Sequence, residues 1–329
     1  MRRREFITLL GSGAVTLPLT ARAQQPSGRV YRVGYLSVAF RANYSINITA
    51  FEDGLRSRGY RVGENVIIEY RFADGKLERL PALAADLVKL GVDVIVTGSN
   101  PVVVAAMKAT TTTPIVMTNV FDPVGAGLVA SLARPGGNVT GVTGDTGHEI
   151  WGKRLELLKE TLPNLSRVGI LWNPEVRSSR ARMISTEEAA RALGLTLVPI
   201  NTPGPDGLEQ AFAIAMREQV QAFVLLADTV LFNYRDRIAE MALRNRLPGT
   251  SDAIEFVEAG FLLGYGTRFQ DLVRQSAVFV DRILKGAKAA DLPVEQPTKF
   301  ALIINLKTAK ALGLEIPASL LARADEVRE

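Results

Sequence analysis

Val92-Asp93-Val94-Ile95-Val96-Thr97-Gly98-Ser99-Asn100-Pro101-Val102-Val103-Val104-Ala105-Ala106-Met107-Lys108-Ala109-Thr110-Thr111-Thr112-Thr113-Pro114-Ile115-Val116-Met117-Thr118-Asn119 decides the fold. A β-branched run over 92–97 meets Gly-Ser-Asn-Pro punctuation, a helix is predicted over 101–110, and a second β-branched run follows at 114–119. Strand, helix and strand in so short a span is the βαβ unit, because parallel neighbours need a crossover of a dozen or more residues.

The same alternation extends outward in both directions. Toward the N-terminus, strands are predicted at 31–37 and 65–72 and helices at 46–58 and 77–90, where Leu80, Leu83, Ala84, Leu87 and Val88 recur at helical spacing. Toward the C-terminus, Pro135-Gly136-Gly137-Asn138 signals a turn before a short run at 139–143, and the pattern then restarts. Strands are predicted at 167–172, 195–200, 221–226, 247–250 and 260–264, alternating with helices at 148–162, 178–193, 207–219, 231–246 and 253–259. Trp151, Leu155, Leu158 and Leu162 share one stripe, which marks Trp151 as core. Two successive units of this kind imply an α/β chain of two doubly wound, Rossmann-like lobes. A helix at 269–285, closed by Gly286, and a strand at 299–305 are left over, so the chain is expected to pass between lobes more than once.

Composition excludes several chemistries. The 329 residues contain no cysteine and one histidine, His148, with 39 Lys+Arg against 34 Asp+Glu for a formal charge of +5. Zinc, iron–sulfur, thiol and disulfide chemistry all need cysteine, and a Ser-His-Asp triad would have to be built on His148, which reads more simply as a helix-start residue. No cofactor is expected. The first 23 residues combine Arg2-Arg3-Arg4, an apolar stretch and Ala21-Arg22-Ala23, the plan of an export signal cleaved after Ala23. Arg3-Arg4-Glu5-Phe6-Ile7 is similar to a twin-arginine signal. Removing residues 1–23 takes away a net +3, so the mature chain stands at about +2 and nucleic acid is not an expected partner. Without a lipobox cysteine no lipid anchor is expected, and the product is expected to be free in the periplasm.

In open parallel sheets ligands bind beyond the carboxyl ends of the strands. Those ends supply Ser37, Ser99, Asn100, Asn119 and Asp122 from the first lobe and Asn173, Asp228, Asp252 and Tyr265 from the second. Ser99-Asn100-Pro101 reads as a helix start that either holds a carboxylate or only caps its helix. Asp122, Asp228 and Asp252 are each either a partner for a ligand ammonium or a helix cap. Tyr44, Phe121 and Tyr265 offer rings to an aromatic or apolar ligand, with Phe121 also fitting a core position. Arg177, Arg180 and Arg182 read as a solvated basic face.

Several segments together carry a family resemblance: residues 79–88 (RLPALAADLV), 122–129 (DPVGAGLV), 132–142 (LARPGGNVTGV), 280–288 (VDRILKGAK), 291–297 (DLPVEQP) and 305–310 (NLKTAK). Over nearly its whole mature length the chain resembles the ABC-transporter substrate-binding family that includes tryptophan- and tyrosine-binding proteins. The resemblance implies a type I periplasmic binding protein, with residues 28–142 and 267–297 in the N-terminal lobe, 143–266 and 298–329 in the C-terminal lobe, and a hinge that closes on ligand. It implies a monomeric, non-enzymatic receptor for a small polar or amphipathic solute, such as an amino acid or aromatic acid, that delivers it to an inner-membrane ABC permease. A sensory ligand-binding protein, or a periplasmic hydrolase, is the alternative. The chain departs from the family at Arg268, where relatives carry a smaller or acidic residue.

Overall fold

The computed structural model describes residues 28–145 and 149–329. The expected export signal and His148 therefore lie outside the described residues. The first part of the chain runs β1 (Tyr31–Ser37), α1 (Ser45–Arg56), β2 (Val66–Phe72), α2 (Leu80–Lys89), β3 (Val94–Thr97), α3 (Asn100–Ala109), β4 (Ile115–Val120) and β5 (Val139–Thr143). These strands form one parallel sheet in the order β2-β1-β3-β4-β5. Along β3 the pleat sends Val94 and Val96 into one core cluster and Ile95 into the other, so both faces of the strand are apolar.

The chain then continues through α4 (Glu149–Thr161), β6 (Arg167–Trp172), α5 (Arg177–Ala192), β7 (Thr196–Asn201), α6 (Leu208–Arg217), β8 (Ala222–Leu225), α7 (Thr229–Asn233), α8 (Arg235–Arg244), β9 (Gly249–Ala253), α9 (Glu255–Ala259) and β10 (Leu263–Thr267). It ends with α10 (Phe269–Leu284), β11 (Ala301–Asn305), α11 (Leu306–Leu312), α12 (Ala318–Leu321) and β12 (Glu326–Arg328). The second sheet has the order β12-β11-β10-β9-β8-β6-β7, parallel except where β11 runs against β10. Its core repeats the two-faced plan: Ala222 and Val224 of β8 pack with Trp151, Leu155 and Leu158 of α4, while Phe223 and Leu225 pack with Phe212 of α6 and Phe256 of α9.

α10 returns to the first sheet. Its Leu272, Val273, Ala277, Phe279 and Val280 share a cluster with Tyr35 of β1 and Phe51 of α1. Gly54 makes this crossing close, since a Cβ there would stand 2.7 Å from the Arg274 carbonyl oxygen. The following segment stays beside β5, with the Glu295 N–H donating to Gly141 O and the Thr143 N–H donating to Glu295 O, before the chain returns to the second sheet as β11.

Three local expectations are corrected. The strand expected at 260–264 lies at Leu263–Thr267, because Gly260, with φ +128, ends α9 and two glycines inside Leu-Gly-Tyr-Gly-Thr mask a strand. Gly266 is required there: a Cβ would stand 2.0 Å from the Asp252 carbonyl oxygen on β9. The single helix expected over 231–246 is two, α7 and α8, interrupted at Tyr234 (φ −111, ψ 18). The last residues include a strand, β12, where only helix was expected; it adds in parallel to β11. Among the described residues no helix is long and apolar enough to cross a membrane.

Candidate functional site

A cavity of about 560 Å³ lies where the strand ends of the two sheets face one another. Eight of the ten residues expected at a site line it: Ser37, Tyr44, Ser99, Asn100 and Asn119 from the first sheet's side, and Asn173, Asp228 and Asp252 from the second's. Asp122 and Tyr265 do not. Asp122 is exposed in a turn of its own, with φ +47, where its Oδ1 accepts from the Gly125 N–H at 2.9 Å. Tyr265 lies against Phe300, ring centroids 6.1 Å apart, among the partly buried side chains of the second core. Strand alternation explains the difference, because Gly264 and Gly266 carry the other face of β10.

Most of the polar lining is already at work within the protein. Ser99 adopts a left-handed backbone, φ +68, to turn the chain from β3 into α3. The Asn100 amide grips the loop after β4 twice, its Nδ2 donating to Phe121 O at 2.7 Å and its Oδ1 accepting from the Phe121 N–H at 3.2 Å. Asn173 pins its own turn, accepting from the Glu175 N–H at 3.0 Å and donating to Pro203 O at 3.2 Å. Asp228 caps α7, its Oδ1 accepting from the N–H groups of Val230 at 2.6 Å and Leu231 at 3.0 Å. Burial raises the Asp228 carboxyl above its ordinary range. Ser37 Oγ accepts from the Ala39 N–H at 3.2 Å, and the buried Tyr44 hydroxyl stands 3.2 Å from that of Tyr35, with burial pushing its pKa up to about 12.

Two arginines change the character of the site. Arg182 of α5 was expected on a solvated face, yet it is 5% exposed and lines the cavity. Its Nη1 donates to Ala227 O at 2.9 Å and Asp252 Oδ2 at 3.3 Å, its Nη2 donates to Ser179 Oγ at 3.0 Å, and its guanidinium carbon lies 4.4 Å from the centre of the Phe121 ring. Phe121 follows β4, so this cation–π contact joins the two sheets. Arg154 of α4 is fully buried, with Nε donating to Tyr265 O at 2.7 Å and the guanidinium 4.2 Å from the Trp151 ring. The remaining wall is apolar, built on Tyr44, Phe269 and Phe232, whose rings follow one another at 6.2 and 6.3 Å, and on Leu272.

With this geometry in place, residues 43–328 match the family described as ABC transporter substrate binding protein. The chain belongs to that family. Its relatives include a tyrosine-binding protein of Clostridioides difficile, 28% identical over 265 residues, which are 80% of this chain and 76% of the relative. Among solved structures, an ABC domain from Streptococcus pneumonia in complex with L-Trp aligns with TM-score 0.84 and 27% identity, covering 91% of this chain and 99% of that one. A conserved domain protein from Vibrio cholerae aligns with TM-score 0.85 and 29% identity over 91% and 100% of the two chains. The fold is that of type I periplasmic binding proteins, with two lobes.

In this substrate-binding protein Arg268 is not among the residues lining the cavity and pairs with Glu326 of β12 at 2.6 Å. Glu255, which no sequence signal singled out, lines the cavity instead. Its Oε1 accepts from the Phe269 N–H at 3.0 Å where the chain leaves β10 for α10, and burial pushes its carboxyl up to about 7.

Proposed function

We propose that this substrate-binding protein is a periplasmic receptor that captures one small amphipathic solute between its lobes and hands it, unchanged, to an inner-membrane ABC permease. The single observation that carries the reading is the cavity itself: one chamber lined by strand ends from both sheets, with charged and amide groups beside a wall of aromatic rings. A ligand bound by both sides favours the closed arrangement by its differential contacts. We take the moving bodies as 28–142 with 267–297 and 143–266 with 298–329. The relatives named for tyrosine and seen with L-Trp make aromatic amino acids and aromatic acids the first solutes to test.

The test is thermal-shift screening of the chain lacking residues 1–23 against aromatic amino acids, aromatic carboxylic acids, amines and purines. A true solute at ~100 times its Kd stabilises by ~2.7 kcal/mol and is recovered chemically intact. A panel without any stabilising compound, or consumption of a compound that binds, overturns the reading.

A further inference from the structure

Arg154 is 0% exposed, and it is held rigidly on two sides: Nε donates to Tyr265 O at 2.7 Å, and the guanidinium lies 4.2 Å from the Trp151 ring. Arg154 lines the cavity, and its two terminal nitrogens, Nη1 and Nη2, are buried without a hydrogen-bond partner among the described residues. A buried guanidinium with unpaired N–H groups is costly, and its fork has the geometry of a carboxylate. Arg182 adds a third donor without a partner among the described residues, its Nε.

Three of the acidic side chains around the cavity hold hydrogen bonds to other parts of the protein. Asp252 takes Arg182 Nη1 on Oδ2 and the Ala227 N–H and Ser251 hydroxyl on Oδ1. Asp228 caps α7 through Oδ1 and Glu255 accepts from the Phe269 N–H through Oε1, while Asp228 Oδ2 and Glu255 Oε2 are buried without a hydrogen-bond partner among the described residues. Glu175 is exposed. Asp252 is hydrogen-bonded to Arg182, and among the described residues no carboxylate is hydrogen-bonded to the Arg154 fork. Burial lowers Arg154 to about 10, which leaves it charged at neutral pH.

We propose that Arg154, seconded by Arg182, forms a carboxylate subsite in the second lobe, so that the transported solute is an aromatic monocarboxylic acid gripped by its acid group there. This rests on the receptor reading above and moves the acid group away from the Ser99-Asn100 helix start, where the Asn100 amide is already spent on Phe121. The apolar wall of Tyr44, Phe232 and Phe269 receives the ring.

The experiment is calorimetry on the chain lacking residues 1–23 with matched probes: L-tryptophan, indole-3-propionate and 3-(4-hydroxyphenyl)propionate, their primary amides, tryptamine, and phenyl phosphate. At least one acid is expected to bind, with its amide at least thirty-fold weaker. In R154M the ratio of acid to amide affinity is expected to fall toward one, a readout that a general loss of packing does not produce. R154K, which keeps the charge without the fork, should show an intermediate ratio. If either variant fails to fold, the comparison of acid with amide in the unaltered protein decides. Equal binding of acid and amide, a ratio unchanged in R154M, or preference for tryptamine or phenyl phosphate overturns the subsite while leaving the receptor reading intact. Failure of every probe and of the wider solute panel overturns both.

Discussion

Glu255→Gln is expected to flatten part of the pH dependence of stability. Glu255 opens α9, is 7% exposed, and holds the first residue of α10 through the Phe269 N–H. Burial is the main cause that pushes its carboxyl from 4.5 to about 7; its own backbone N–H and that of Phe269 oppose the shift, Glu258 adds to it, and Arg235 opposes it. The native state therefore keeps a proton that the unfolded chain releases near its ordinary value. The resulting contribution to stability is fully present below about pH 4.5 and is lost as pH rises through about 7. At about 1.4 kcal/mol per pH unit, a shift of this size corresponds to about 3 kcal/mol. Glutamine cannot ionise, so E255Q should gain about 3 kcal/mol relative to the unaltered protein between pH 4.5 and pH 8. Urea unfolding of both proteins across that range measures the difference, and contributions common to both cancel. Parallel stability curves would refute the assignment of a buried, proton-holding carboxyl at this crossing.

Other perturbations follow from the same geometry. Gly266→Ala should destabilise by roughly 2–3 kcal/mol, because its Cβ would stand 2.0 Å from the Asp252 carbonyl oxygen; a melting temperature unchanged in this variant would show that β9 and β10 are not so close. Asp228→Ala should cost about 1 kcal/mol through loss of the α7 cap, measured by urea unfolding at pH 7. Arg268→Ala should cost less than about 1 kcal/mol, shrinking further in high salt, and should leave solute affinity unchanged; a large change in affinity would place Arg268 at the site after all.

Much of the framework was legible because βαβ alternation is written in local hydrophobic period. β1, β5 and β6 fall at their expected residues, and the rule that sites lie at strand ends led to Ser37, Ser99, Asn100 and Asn119. Arg154 and Arg182 were hidden, since arginine on a helix ordinarily reads as solvated. A signal did exist for Arg154: it lies three residues after Trp151 and four before Leu158, within the apolar stripe of α4. α5 offered less, because the buried neighbours of Arg182 on its face include Ser179 and Thr186, small polar residues with no apolar signature. Glu255 and β12 depend on contacts across the chain, to Phe269 and to β11, which no local pattern records.

In the proposed receptor one solute lies between the two sheets and touches both. The most direct measurement is a crystal structure of the chain saturated with the tightest-binding compound from the solute panel. Electron density for the solute is expected in the cavity, with its acid group on Arg154 and Arg182 and its ring beside Tyr44 and Phe269. Density confined to one lobe, or seated elsewhere on the molecule with the cavity untouched, would contradict it.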